Sequence, residues 1–272
     1  MSEVWSYSKS QQYHSCPRSL FYILNANQYT ALQEKLPSIE AVSVWAVSGV
    51  AVHRSIAKQM DNWALGKSPD FDIALNDALY YLNYIWSKQD QLIIEAINGK
   101  KLKLSFYSQM VRSTRHNIRI LRQQIWPRFD CHQHAIHEQS KTFSIEEQPV
   151  TVKIDLVTIA PDKTLFITDW KTGSIPPLGA NTLQLNVYAL WAQYQYKIDR
   201  NNIIVQLVNL KTGEVEQKKP NSRNLRETIA QIIFESEKWK DTNEQNFQLK
   251  PDNDKCLACK FFPICEAGRL EK

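Results

Sequence analysis

The chain has 272 residues, of which 43% are hydrophobic and 22% are charged. Eight tryptophans and only seven glycines indicate a packed core and argue against a disordered or low-complexity protein. The net charge of +5 is compatible with a nucleic-acid partner but does not establish one, because the placement of charges matters more than their sum. The first residues show no secretory pattern, and no apolar run approaches the roughly 18 residues of a membrane span. We therefore expect a cytoplasmic protein with no membrane contact.

Hydrophobic spacing predicts a first half made of helices and a second half built on strands. The predicted helices span residues 6–24, 42–65, 72–97 and 103–127, with a loop at 31–41 and a break at Pro17. From residue 132 the period changes, and strands are predicted at 134–138, 149–159, 164–170 and 203–208. Two more helices, at 181–196 and 222–240, lie on either side of the last strand, which leads into a turn at 211–214. This order predicts an α/β fold with a mixed central sheet flanked by helices.

Two aspartates stand at the ends of neighbouring predicted strands. Asp155 lies in the apolar segment 152–157, and Asp169 follows the apolar segment 165–168, so a hairpin would bring the two carboxylates together. Lys171 lies on the same face as Asp169 because strand side chains alternate with period two. Strand-end aspartates are often only turn formers. Two oxygen ligands beside a cation are nevertheless what metal-assisted phosphodiester hydrolysis needs, and the combination favours such a site.

Three further features fit the same chemistry, and each also has a purely structural interpretation. Gln184 and Tyr188 are at i and i+4, hence on one helix face, where they could also be a half-buried polar pair. His53 lies on an apolar helix, where a lone histidine is more often a core residue than a ligand. Glu138 could add a carboxylate or simply face solvent.

Taken in order, these residues resemble the PD-(D/E)XK nuclease superfamily, and more narrowly the RecB-type exonucleases that include the CRISPR-associated ones. The matching set is Gly49-xxx-His53, Glu138, Asp155, Asp169-Trp170-Lys171-Thr172-Gly173 and Gln184-xxx-Tyr188. The resemblance covers about residues 6–266 and is weakest at 66–130. It implies a restriction-endonuclease-like core in a single domain, 1–272, with 66–130 as a helical insertion or subdomain.

The resemblance also implies roles for these residues. His53, Asp155 and Asp169 would hold Mg²⁺ or Mn²⁺ with help from the Trp170 carbonyl. Lys171 would orient the attacking water. Glu138 is a possible further ligand, and the Gln184/Tyr188 pair would support the site or the DNA. The expected activity is a metal-dependent DNA exonuclease, acting on single-stranded ends.

One residue departs from the family pattern. Lys153 occupies the position, two before Asp155, where the family usually has glycine. Its side chain could crowd the site, pair with the Asp155 carboxylate or contact a phosphate. Lys153 is therefore the argument for an alternative function, a non-catalytic nucleic-acid-binding adaptor.

The cysteines form a second constellation. Cys256, Cys259 and Cys265 have the spacing C-x₂-C-x₅-C, and Cys16 is the candidate fourth donor. Thiolates suit zinc or an iron–sulfur cluster, and the spacing alone does not separate the two. The resemblance implies a [4Fe–4S] cluster that joins segment 250–267 to the N-terminal segment, and a zinc-stapled nuclease is the alternative. Cys131 is expected to be a plain buried or free thiol.

Basic and aromatic residues suggest surfaces for nucleic acid. A ridge of arginines with helical spacing would track phosphates, or would be a solvated helix face; it consists of Arg112, Arg115, Arg119 and Arg122. A second basic area comprises Lys211, Lys218, Lys219, Arg223 and Arg226. Candidates for stacking on bases are Tyr7, Tyr13, Trp45 and Trp170. No phosphate-loop motif is present, so any unwinding would come from a partner, such as a helicase or a CRISPR or repair protein.

Overall fold

The computed structural model describes residues 4–26, 36–173, 182–241 and 243–269. The first part is mostly helical: β1 (Trp5–Ser6), α1 (Tyr7–Ser15), α2 (Pro17–Leu24), α3 (Val47–Ala64), α4 (Phe71–Ser87), α5 (Gln89–Leu92), α6 (Ile94–Ile97) and α7 (Leu104–Ile120). The second part contains β2 (Gln133–Ile145), β3 (Gln148–Ile159), β4 (Leu165–Lys171), α8 (Thr182–Tyr196), β5 (Ile203–Asn209), β6 (Val215–Lys218) and α9 (Ser222–Trp239). Two short helices follow, α10 (Asn253–Leu257) and α11 (Glu266–Arg269).

The strands of the described residues form one mixed sheet, as predicted. β3 is antiparallel to β2 and β4, whereas β1 runs parallel to it. β4 and β5 are parallel, with α8 between them in the chain, and β6 completes the sheet as an antiparallel edge. The predicted hairpin of β3 and β4 is therefore confirmed.

The strands β3 and β4 separate at the predicted carboxylates. Their ladder ends at the pair Leu156–Thr168, but β4 continues along β5 as far as the pair Lys171–Asn209. β2 pairs along the whole of β3, so β1 and β4 must share its other edge, with β1 pairing only at residues 150–151. A fork thus opens on this edge between the two partners, and Asp155 lies in it.

Both faces of the sheet are covered, which explains why the central strands are apolar almost throughout. On one face, side chains of α8 and α9 pack on the sheet, among them Leu185, Val187 and Ile232. On the other face, Val52 of α3 and Ile118 of α7 pack against strand residues of β3, β4 and β5. The site helix α3 is therefore fixed directly on the sheet. Whether residues 66–130 form a separate unit stays a prediction.

Helix α3 begins later than the predicted start at residue 42. Val42 instead forms an isolated parallel bridge with Ile93. The buried carboxylate of Glu95 accepts the Val44 N–H at 2.8 Å and the Ser43 hydroxyl at 2.6 Å. These long-range partners hold residues 42–44 out of the helix, and α3 begins at Val47.

The two long helices predicted at 72–97 and 103–127 are each interrupted. The first ends at Ser87, because Ile93 is extended where it bridges to Val42 and only short helices fit around it. The second is α-helical to Ile120 and then passes through a π turn and a 3₁₀ turn to Phe129. Pro127 lies in that last turn and lacks the N–H that a continuing α-helix would need.

Two local predictions at the ends of elements are confirmed. The predicted break in the first helix occurs at Cys16, whose extended backbone separates α1 from α2, with Pro17 in the first turn of α2. The turn after β5 contains Gly213 at φ +79°, a conformation that favours glycine. No helix in the described part of the chain combines the length with the apolar composition that a membrane span requires.

Candidate active site

The fork between β3 and β4 holds two buried carboxylates. Asp155 is 6% exposed and Asp169 is 3% exposed. Asp155 Oδ2 accepts the backbone N–H of Trp170 at 2.8 Å, so β4 itself clamps the carboxylate of β3. The divergence of the strands supplies the space, and the short hydrogen bond across it fixes the distance between the two acids.

Helix α3 adds an imidazole to the carboxylates. His53 Nδ1 lies 3.3 Å from Glu138 Oε1 and 3.5 Å from Asp155 Oδ1. His53 Nε2 lies 3.1 Å from the carbonyl oxygen of Trp170. One ligand atom from each of three side chains, those of His53, Glu138 and Asp155, falls within 4.8 Å of the others. The structure thus brings together the predicted histidine, the first aspartate, the possible glutamate and the Trp170 carbonyl.

Glu138 reaches this cluster through an unusual backbone conformation. It has φ +41° in the middle of β2, where its neighbours His137 and Gln139 pair with Leu156 and Ile154. Non-glycine residues in this region are strained and are found disproportionately at functional sites. Glu138 also pairs with Lys153, whose Nζ lies 3.3 Å from Glu138 Oε2. Lys153 therefore contacts Glu138, not the Asp155 carboxylate, and its side chain is 66% exposed.

The second aspartate is held by a network from α8. Gln184 Nε2 donates to Asp169 Oδ1 at 2.8 Å, and the Tyr188 hydroxyl lies 3.0 Å from the same oxygen. Gln184 Oε1 accepts from Lys171 Nζ at 3.1 Å, and this nitrogen lies 2.7 Å from Asp169 Oδ2. The i, i+4 pair on α8 thus orients both ends of the Asp-x-Lys motif, and the two side chains are buried rather than half-buried.

Burial and neighbouring charges shift the pKa values of the groups in the fork. Burial alone would raise the pKa of Asp155, but the charge of His53 and the hydrogen bonds from His53 and Trp170 hold it below its ordinary value. Burial, followed by the charge of Asp155, raises the pKa of Asp169 despite the nearby Lys171. Burial would lower the pKa of His53, yet Asp155 and Glu138 raise it to about 10. In the metal-free protein, a proton on His53 thus offsets part of the carboxylate charge.

The donor set fits a hard divalent cation. Carboxylate and carbonyl oxygens with one imidazole suit Mg²⁺ or Mn²⁺. The buried atom Asp169 Oδ2 lies 2.7 Å from the Lys171 ammonium. Even so, the charge of Asp155 acts on Asp169 in this small buried volume, and a divalent cation between the two carboxylates would offset that repulsion.

Comparisons with known proteins now bear on this geometry. The family model described as the PD-(D/E)XK nuclease superfamily matches residues 4–266. The chain belongs to this superfamily. Its fold and fork are therefore those of a nuclease, and a nucleic acid is the implied substrate.

Other comparisons add little. A solved structure named "Putative exonuclease" from Eubacterium rectale is similar, at 14% sequence identity over 91% of this chain and 92% of that one. The TM-score is 0.36. No curated protein matches the chain.

The nuclease core contains two contacts that the sequence did not reveal. A Cβ on Gly49 would lie 2.8 Å from Thr172 Oγ1, so α3 approaches the end of β4 more closely than any other residue would allow. Asn117 of α7 donates to the Thr172 carbonyl at 3.4 Å. Gly49 belonged to the matched motif, but only the structure shows which neighbour a larger residue there would displace. Thr172 also belonged to the matched motif, whereas Asn117 carried no signal of its own.

The predicted cysteines meet outside the nuclease fork. Cys16, Cys256, Cys259 and Cys265 line one cavity between α2 and the C-terminal segment. Burial, followed by the neighbouring thiols, raises the pKa of Cys259 to about 11 and also raises that of Cys265. Cys131 is exposed and forms no disulfide, so the prediction of a free thiol is confirmed and that of a buried one is wrong.

The predicted nucleic-acid residues differ in their surroundings. Arg112, Arg115, Arg119 and Arg122 are all exposed along α7 and the turn that follows it. Arg122 pairs with Asp72 of α4 at 3.0 Å. Trp170 was a candidate for base stacking, but its ring is 2% exposed and packs edge-on against Phe129, which excludes that role. Trp45, in contrast, is 64% exposed.

Proposed function

We propose that this nuclease is a divalent-metal-dependent DNA exonuclease of the RecB-like group, acting on single-stranded ends. The observation that carries the proposal is the fork, where Asp155 and Asp169 lie buried beside Lys171 and His53. Burial and the charge of Asp155 raise the pKa of Asp169, which supports the proposal further, because a cation would offset the repulsion between the two acids. A helicase or a CRISPR or repair protein would be a natural partner, since the chain has no phosphate-loop motif of its own.

The ligands of Mg²⁺ or Mn²⁺ would be His53, Asp155, Asp169 and the Trp170 carbonyl, with Glu138 as a further carboxylate. When bound, the ion supplies Lewis-acid polarisation of the phosphate and a lower pKa for the attacking water. His53 must first release the proton that it holds between the carboxylates, and its Nδ1 then faces the space they surround. The Trp170 N–H keeps Asp155 Oδ2 in place, which leaves Oδ1 for the ion.

Lys171 carries the remaining catalytic task. Its ammonium is held by Gln184 Oε1 and Asp169 Oδ2 at the mouth of the fork, with the side chain 30% exposed. From this position it can orient a water molecule towards the phosphorus and offset the charge that builds on the phosphate oxygens. The network from α8 keeps the ammonium from moving away when the substrate leaves.

The test is digestion of single strands labelled at the 5′ or the 3′ end, with Mn²⁺, by the wild type and by Lys171→Ala. We expect the wild type to shorten one of the labelled strands progressively and the variant to lose cleavage by at least about 100-fold, as for other removed stabilising groups. The variant should keep the wild-type Tm. Full activity in Lys171→Ala would reject the mechanism.

The adaptor alternative depended on Lys153 blocking the site. In the structure, Lys153 pairs with Glu138 and points largely to solvent, so the space between Asp155 and Asp169 is not filled by it. Binding of the labelled strand without any metal-dependent cleavage would nevertheless favour the adaptor over the nuclease.

We also propose that the four cysteines hold a [4Fe–4S] cluster with a structural role. In support, all four line one cavity, although no three of these sulfurs lie within 4.8 Å of one another. Tetrahedral zinc, with Zn–S bonds of about 2.3 Å, would need sulfurs only about 4 Å apart. The wider spacing favours a larger group. Iron and acid-labile sulfide after anaerobic purification would support the cluster, and stoichiometric zinc would favour the alternative.

A further inference from the structure

A groove outside the catalytic fork lies between α3 and α4. It has a volume of about 590 Å³, and Ile39, Glu40 and Val42 contribute to its lining. Three aromatic side chains come from α4 and two cations from α3, namely Tyr80, Tyr81, Tyr84, Arg54 and Lys58. None of these residues has a place in the catalytic cluster.

The groove concentrates exposed apolar surface. Tyr80 is 76% exposed and Tyr84 is 38% exposed, and Ile39 and Val50 in the same walls are also exposed. Scattered exposed hydrophobic residues are ordinary, but several in one groove indicate a binding surface. Two tyrosines on successive turns of one helix present ring faces or edges to whatever occupies the groove.

Two of the aromatic rings in the groove already have a cation beside them. The Arg54 guanidinium lies 5.4 Å from the centre of the Tyr81 ring, and Lys88 Nζ lies 4.8 Å from that of Tyr84. Lys58 pairs with Asp77 at 2.9 Å, and both side chains are partly exposed. Such a surface pair is weak, so a phosphate can replace the carboxylate. The lining of the groove carries two cations, Arg54 and Lys58, and two carboxylates, Glu40 and Asp77, so its formal charges balance. Lys88, beside the Tyr84 ring, adds a positive charge next to it.

The groove and the catalytic fork use adjacent faces of the same helix. Gly49 and His53 face the end of β4, and each is followed by a groove residue, Val50 and Arg54. Successive residues of an α-helix are about 100° apart around the axis. A polymer that occupies the groove is therefore about a quarter turn of α3 away from the carboxylates.

We propose that this groove binds unpaired bases of the single-stranded nucleic acid whose phosphate enters the fork. The inference rests on the proposed function, because that function is what leads the strand from the groove to the fork. Binding in the groove itself requires no cleavage. Tyr80 and Tyr84 stack on bases, while Arg54 and Lys58 contact phosphates. Bases inside a duplex have no free face for such stacking, so the groove selects single strands.

The test measures binding in EDTA, where cleavage cannot occur. Fluorescence anisotropy with a labelled oligothymidylate compares the wild type with Tyr80→Ala/Tyr84→Ala and Tyr80→Phe/Tyr84→Phe. Tyr194→Ala is the matched control, because Tyr194 is 48% exposed and has Lys197 Nζ 4.4 Å from its ring centre but lies outside the groove. We expect the alanine pair to bind about 10- to 100-fold more weakly, and the phenylalanine pair and the control to bind like the wild type.

Two results would overturn the proposal that the groove binds unpaired bases. One is unchanged affinity in the alanine pair; the other is an equal loss of affinity for a blunt-ended duplex, which would exclude stacking. Tyr80→Ala alone, at a largely exposed position, tests the same claim if the double variant does not fold. A cleavage assay with Mn²⁺ separates the two proposals. If the protein cleaves but its affinity does not depend on the groove tyrosines, only the proposal for the groove is rejected. If its affinity depends on these tyrosines but it does not cleave, only the proposed nuclease function is rejected.

Discussion

The two oxygens of Asp169 have different surroundings. Oδ1 is fixed by Gln184 and Tyr188, whereas Oδ2 lies 2.7 Å from the Lys171 ammonium. One oxygen therefore holds the side chain in position while the other pairs with a cation. Since Gln184 contacts Asp169 and Lys171 together, it couples the ligand to the group that orients water.

Gln184→Ala is expected to lower the cleavage rate by about 10- to 100-fold, as is usual when the partners of metal ligands are removed. The reason is that Asp169 loses one donor and Lys171 loses its amide acceptor, while the ligands themselves remain. The measurement is the initial rate with saturating Mn²⁺. Gln195→Ala, at an exposed position on the same helix, is the control. Equal rates in the two variants would contradict the role of Gln184.

The charge of His53 predicts how the stability of the metal-free protein depends on pH. Asp155 and Glu138 overcome burial and raise the pKa of His53 to about 10, from the ordinary 6.5. A raised pKa stabilises the fold fully below the unfolded value and loses this contribution as pH rises through the folded value. In EDTA, the free energy of unfolding of the wild type should therefore fall, relative to His53→Asn, between pH 7 and pH 10.

Chemical denaturation at several pH values checks this. The difference in the free energy of unfolding between the wild type and His53→Asn should shrink from pH 7 to pH 10. A constant difference would mean that the folded protein does not hold His53 protonated. The same linkage predicts that Mn²⁺ binding at neutral pH releases a proton, because the ion takes the place of that charge.

At the scale of residues, the sequence predicted which side chains form the site better than it predicted their contacts. Strand period placed Asp169 and Lys171 on one face, and helix period did the same for Gln184 and Tyr188. The positive φ of Glu138 was not predictable, because it arises from an irregular position in β2 that no local residue preference indicates. The partner of Lys153 was equally hidden, since β2 and β3 first have to pair.

The site exists because two elements diverge and a third approaches them. β4 leaves β3 after Thr168 and follows β5, and α3 fills the space beside the fork. The approach of α3 is closest at Gly49, which faces Thr172 just beyond β4. The position of His53, one turn later on α3, depends on this contact.

Gly49→Ala should therefore lower activity by displacing α3, because the new methyl group would lie 2.8 Å from Thr172 Oγ1. We expect a loss of about tenfold or more in the cleavage rate, since small misplacements of catalytic groups are costly. Thr172→Ala removes the obstructing hydroxyl, so Gly49→Ala/Thr172→Ala should recover most of the activity. A double variant no better than Gly49→Ala would show that the contact does not set the position of His53.

Element types were predictable from hydrophobic period, but several boundaries were not. The start of α3 depends on Glu95, 51 residues after the backbone N–H that it binds at Val44. The π turn after Ile120 lies in a stretch with a continuous helical pattern, and only Pro127 marked its end. Strand β1 has only two residues, and its pairing with β3 could not be read from so short a segment.

At the scale of the whole molecule, the two ends of the chain are joined. Buried Arg18 of α2 donates to the Phe247 carbonyl at 3.0 Å and to Glu244 at 2.9 Å. Asn98, after α6, donates to the carbonyls of Leu257 and Cys259 at 2.8 and 3.0 Å. The cysteine cavity is thus fixed both to α2 and to the helical region at residues 66–130. The sequence indicated the cysteine set by resemblance, but these supporting contacts lie too far apart in the chain to predict.

Cys16→Ser is expected to lose the iron and to lower the Tm. Without the tie between residues 16 and 256, the unfolded chain gains conformational entropy and the fold is destabilised. By analogy with a long cross-linked loop, the loss is about 4 kcal/mol, which corresponds to a Tm shift on the order of 10 °C. Iron content and thermal unfolding are the measurements. Cys131→Ser, at an exposed free thiol, should change neither. An unchanged iron content in Cys16→Ser would remove Cys16 from the ligand set.

The central claim is that the fork between β3 and β4 binds a divalent cation. The most direct measurement is the titration of the full-length wild type, Asp155→Asn and Asp130→Asn with Mn²⁺ by calorimetry, without nucleic acid. Asparagine can still accept the Trp170 N–H but lacks the charge, and Asp130 is an exposed aspartate outside the site. We predict that the wild type and Asp130→Asn bind Mn²⁺ alike and that Asp155→Asn binds it at least about tenfold more weakly. Equal affinity in Asp155→Asn would contradict the claim.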